Sequence, residues 1–83
     1  MNAPEWLTRR DGSVRPYLND ATWLVLLSGH PQYRLFGTPA EGGYTCAITQ
    51  TNNGHRLDGG KKYATIGTAL EGGLEELKER LGW

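Results

Sequence analysis

The run TIGTALEGGLEELKERLGW, residues 65–83, sets Ile66, Ala69, Leu70, Leu74, Leu77 and Leu81 mostly three or four residues apart. On a helix of 3.6 residues per turn these six side chains share one stripe, with Glu71, Glu75, Lys78 and Glu79 opposite. Thr65 is placed to cap the start through its hydroxyl, and Gly82 followed by Trp83 suits a left-handed stop. Gly72 and Gly73 interrupt the run at a cost of about 1 kcal/mol each relative to Ala. Because the apolar period continues on both sides of the pair, Gly73 is expected to let the helix lie close against a sheet, under an aromatic ring such as Tyr44 or Trp23.

The segments before this helix read as the sheet it covers. TWLVLLSG, residues 22–29, is β-branched and aromatic and stops at Ser28-Gly29; QYRLFG, residues 32–37, resumes and ends before Pro39. A helix over residues 20 to 28, capped by Asn19 or Asp20, is the rival reading, and strand is preferred. In GYTCAITQT, residues 43–51, Tyr44, Cys46 and Ile48 alternate with Thr45, Ala47 and Thr49, as in a half-buried strand. Asn52-Asn53-Gly54 signals a tight turn, after which His55-Arg56-Leu57 can return as a short fourth strand. Near the start, Asn2 to Glu5 opens a helix of one or two turns, and residues 10 to 20 read as an extended connector. The expected architecture is therefore α+β and two-layered: an antiparallel meander of three or four strands packed against a C-terminal helix. One domain covers residues 1–83, with an N-terminal extension over 1–20, strands over 21–64 and the helix over 65–82.

Composition limits what such a domain can do. Its 83 residues, 37% of them apolar, suffice for one modest core and no separate substrate domain. The longest apolar run, Trp23 to Leu27, is far short of the ~20 residues a membrane-spanning helix needs. Met1 to Arg10 lacks the apolar stretch of a secretory signal. The single Cys46 allows no internal disulfide, in keeping with a reducing, cytoplasmic setting. Net charge is zero but unevenly spread. Residues 1 to 62 hold Arg9, Arg10, Arg15, Arg34, Arg56, Lys61 and Lys62 against Glu5, Asp11, Asp20, Glu41 and Asp58; residues 63 to 83 hold Lys78 and Arg80 against Glu71, Glu75, Glu76 and Glu79. The body leans basic and the terminal helix acidic, a lean that steers polyanions to one side.

No catalytic, cofactor-binding or metal-binding residue is expected. His30 and His55 have no Cys or second His at zinc-ligand spacing. Ser28 and His30 lack an orienting acid and oxyanion donors. Asp58, between Arg56 and Lys61, suits surface ion pairs or a turn cap, and Cys46 reads as a small buried hydrophobe. GHRLDGG, residues 54–60, lacks the Gly-Lys-Ser/Thr ending of a phosphate loop, so its glycines answer to turns alone. The nearby basic residues are not explained by turns. Arg34, Arg56, Lys61 and Lys62 are the donors that phosphate contacts use, provided that they share a face.

The order Tyr33-Arg34, Gly43-Tyr44, Ile48, Gly54-His55-Arg56, Gly60, Tyr63, Thr65 and Ala69 resembles the landmarks of plant ethylene-response-type and integrase amino-terminal DNA-binding domains, over about residues 32–81. The resemblance implies a three-stranded sheet on one helix, with the sheet entering the major groove of DNA. Those families carry Arg and Trp on the exposed sheet face, where this chain is expected to show Thr45, Ala47 and Thr49. Double-stranded-RNA-binding domains are also similar through Pro31-x-Tyr33 and Gly60-Lys61-Lys62, a likeness that requires a helix at the first apolar run. Two functions follow as expectations. The first is a non-catalytic protein-interaction or oligomerisation module that docks on a protein partner or a second copy through an edge strand or through Trp6 and Leu7. The second is a nucleic-acid-associated module contacting phosphates through Arg34, Arg56, Lys61 and Lys62, with Arg9 and Arg10 as further candidates. Neither involves a membrane.

Overall fold

A computed structural model describes residues 3–57 and 60–83, with the backbone alone at Asn19 and Asp20. Its elements in chain order are α1 (Glu5–Thr8), β1 (Gly12–Tyr17), β2 (Asn19–Leu27), β3 (His30–Ala40), β4 (Gly43–Gln50), β5 (Lys62–Tyr63) and α2 (Ile66–Leu81). The strands form one antiparallel sheet in the order β1-β2-β3-β4-β5, a pure meander, and α2 packs on one side of it. This is the expected α+β two-layer arrangement, with five strands instead of three or four.

Both additional strands are short on apolar signal. β1 occupies the stretch read as a connector; it carries one buried residue, Val14, and pairs with β2 from Gly12 opposite Leu27 to Pro16 opposite Trp23. As an edge strand it needs only one paired side, which is why Pro16 is tolerated within it. β5 is two residues long and pairs Tyr63 with Tyr44 and Lys62 with Thr45. The expected fourth strand at 55–57 runs beside β4 but reduces to one bridge, Thr49 with Arg56, flanked by backbone bonds from Gln50 N–H to the His55 carbonyl and from Leu57 N–H to the Ile48 carbonyl. Residues 20–27 lie in strand β2, so the helical alternative and the likeness that depended on it do not hold. Ser28 and Gly29, with φ of 52° and 80°, make the two-residue turn between β2 and β3 in the geometry that matches the twist of a hairpin.

The terminal helix is capped as its sequence indicates. The Thr65 hydroxyl accepts from the Thr68 backbone N–H, and the Thr68 hydroxyl accepts from the Thr65 backbone N–H, closing a reciprocal box. Gly82 closes the other end at φ 73°. Between α2 and the sheet lies a core built on Leu7, Val14, Val25, Tyr33, Leu35, Cys46, Ile48, Ala69, Leu70, Leu74 and Leu77.

The glycine pair does bring helix and sheet together, with different neighbours from those expected. A Cβ added at Gly73 would meet Cys46 Sγ and Cβ and, at 3.2 Å, Leu35 Cδ2. At Gly72 it would enter the ring of Tyr63. The aromatic ring over the pair is thus Tyr63, not Tyr44 or Trp23, because the unforeseen β5 carries it there. No helix among the described residues is long and apolar enough to cross a membrane.

Candidate functional site

Period-two alternation assigns each strand residue to one of two faces, and the cross-strand register carries that assignment from strand to strand. Val14, Val25, Tyr33, Leu35, Cys46 and Ile48 belong to the covered face with α2. On the other face, one cross-strand row runs Arg15, Leu24, Arg34, Thr49, Arg56 through β1, β2, β3, β4 and the bridged residue beyond. Next to it lies Thr22, Phe36, Ala47, and then Thr38, Thr45, Lys62. No described element covers this open face.

It interleaves cationic and apolar residues: Leu24 stands within the arginine row, with Leu26 on one side of that row and Thr22, Phe36 and Ala47 on the other. Leu24, Leu26, Ala47 and Thr22 are buried, although no second layer lies over them. Leu24 is flanked across both strands by exposed arginines, Arg15 and Arg34. Long arginine side chains can lay their methylenes along apolar surface while the guanidinium stays in water, which gives Arg15 and Arg34 a way to shield Leu24. Thr38 and Thr45 share a hydrogen bond at 2.9 Å between their hydroxyl oxygens.

The sequence-derived basic set divides. Arg34, Arg56 and Lys62 lie on the open face. Lys61, one residue before Lys62 and so on the opposite side, lines a cleft of about 270 Å³ with Tyr63, Gly72, Glu75, Glu76 and Glu79. In that cleft burial first, then the Glu76 carboxylate, pushes the Tyr63 hydroxyl above the ordinary tyrosine range. Arg15 joins the open face in place of Lys61. It escaped sequence reasoning because residues 10 to 20 carried no strand period, and only its pairing with Leu24 reveals its side of the sheet.

The other basic residues near the start are engaged elsewhere. Arg9 pairs with Glu5 at 3.0 Å on the surface, and Arg10 lies 4.6 Å from the centre of the Trp83 ring, a cation–π contact. Asp58 lies outside the described residues. Four of the described acidic residues, Glu71, Glu75, Glu76 and Glu79, sit on α2, beyond the other face. The α2 glutamates and the arginine row thus lie on opposite sides of the sheet.

Trp6 and Leu7 do not form an exposed pair. Leu7 has no exposed surface and packs on Gly12 in the core. Trp6 tilts at 54° against Trp83, with ring centroids 6.0 Å apart, and its indole Nε1 is buried with no partner among the described residues. α1 thereby fastens the chain's start to the end of α2, with Leu7 in the core and Trp6 half-buried against it. No protein family, curated protein or solved structure matches this chain, so its function rests on this geometry alone.

Proposed function

We propose that the chain is a non-catalytic, nucleic-acid-associated module whose open sheet face holds backbone phosphates through Arg15, Arg34, Arg56 and Lys62. The observation that carries this reading is the row Arg15-Leu24-Arg34-Thr49-Arg56, which gathers three guanidinium groups across the sheet from three distant parts of the sequence. Guanidinium forks bind phosphate oxygens bidentately, and the neighbouring hydroxyls of Thr49, Thr38 and Thr45 are further groups of the kind phosphate contacts use. The acidic helix on the far side turns the basic face toward a polyanion as it approaches.

Salt dependence tests it. Three or four phosphate contacts give a fall in affinity of about 20- to 150-fold between about 50 and 200 mM salt, by counterion release. Fluorescence anisotropy with labelled single-stranded and duplex oligonucleotides should show that fall for at least one of them, and Arg34→Ala should weaken binding and flatten the slope. Absence of binding to either oligonucleotide at about 50 mM salt ends the reading.

A further inference from the structure

The open face is not uniformly basic, and its apolar part has a definite place. Trp23, Tyr33, Tyr44 and Tyr63, the other aromatic residues of β2 to β5, all belong to the core or pack against it. Phe36 does not. Register sets it on the open face between Thr22 and Ala47, half-buried and one pair step along β3 from Arg34. Its ring therefore lies outside the core cluster.

Strand spacing gives the dimensions. Paired strands lie about 4.8 Å apart, so Arg15, Arg34 and Arg56 follow one another at about 10 Å and the row spans about 19 Å. Phe36 stands about 7 Å to one side of that row, at two residues along the strand. The major groove of a duplex is about 12 Å wide and admits a helix or a two-stranded ribbon, which is narrower than this row. A duplex lying across the row would also set its charged backbones over Leu24, Phe36 and Ala47 while keeping its bases stacked within. An unpaired strand meets neither difficulty: its phosphates follow the arginines, and a base turns its π-face to the ring beside them.

From this juxtaposition we propose that the face takes a single-stranded nucleic acid, with its backbone along Arg15-Arg34-Arg56 and a base stacked on Phe36. The proposal rests on the phosphate-binding reading above and adds the ligand's form. Phe36 is the stacking residue, and the arginines supply the sequence-independent hold.

The test compares a labelled oligodeoxythymidine strand of about 15 nucleotides, within the site sizes known for single-strand binders, with a mixed-sequence duplex of the same length. The unpaired strand is expected to bind more tightly. Phe36→Ala should lower its affinity about tenfold, the loss that removal of one stacked base brings, and leave duplex affinity unchanged. Phe36→Leu keeps an apolar side chain and removes the π-face, so it should show the same loss in a protein that remains folded, while Phe36→Trp should retain affinity. Tighter duplex binding, or unchanged single-strand affinity in a folded Phe36→Leu protein, overturns the stacking assignment and leaves the phosphate reading standing. Failure of both oligonucleotides to bind removes both.

Discussion

Replacing Gly73 with Ala sets two effects of known sign against each other. In an exposed helix interior the change should stabilise by about 1 kcal/mol, because Ala loses less chain entropy on folding. Here the new methyl meets Cys46 Sγ well inside contact distance, Cys46 Cβ at 3.0 Å and Leu35 Cδ2 at 3.2 Å. Gly73 and Cys46 are both buried and Leu35 has no exposed surface, so none of these atoms can swing into solvent. Overpacking of a core costs about 1–3 kcal/mol, and an overlap with three atoms belongs in the upper half of that range. The balance is a net loss of about 1–2 kcal/mol. For a domain of this size that lowers Tm by about 5–15 °C, measurable by circular dichroism or calorimetry. The partner can be removed: in a Cys46→Ala background the Sγ is gone, and Gly73→Ala should become neutral or stabilising by up to about 1 kcal/mol. A Tm raised by Gly73→Ala in the native background would show that α2 does not lie on β3 and β4 at this point.

Leu7→Ala should cost about 2–5 kcal/mol, as for other fully buried leucines, and should leave oligonucleotide affinity unchanged in the protein that remains folded; a loss of affinity at full stability would return Leu7 to a binding role. Tyr63 gives a pH signature. Its folded pKa is raised, by burial and then by Glu76, so the unfolded chain loses its phenolic proton first; the contribution is intact below about pH 10 and is lost as pH rises from there toward the folded value. Tyr63→Phe should therefore lose less stability than the native chain on alkaline titration, and parallel Tm curves for the two proteins between about pH 8 and 11 would refute the shift.

The terminal helix was legible because its signals agree: an apolar stripe, a hydroxyl cap and a glycine stop all mark the same bounds. β2, β3 and β4 were legible from β-branched residues and period-two alternation. β1 was not, since GSVRPY buries only Val14 and is held by backbone pairing to β2, which leaves little trace in side-chain pattern. β5 was missed because two residues carry no period at all, and with it went the identity of the ring over Gly72. The candidate face was half legible. Arg34, Arg56 and Lys62 are readable from sequence as phosphate donors, whereas Lys61 parts from Lys62 because adjacent strand residues point to opposite sides. Arg15 and Phe36 required register, which no local stretch of sequence contains. Leu7 was an apolar residue near a terminus, and only the packing of α1 on Gly12 shows that it belongs to the core.

Amide chemical-shift mapping during titration with the unpaired oligodeoxythymidine strand tests most directly where a ligand sits. The largest changes should fall on Arg15, Leu24, Arg34, Phe36, Thr49 and Arg56, with residues 70–81 of the acidic helix unmoved. Shifts concentrated on the helix, or a spectrum unchanged at low salt with the strand in excess, would contradict an open sheet face that binds nucleic acid.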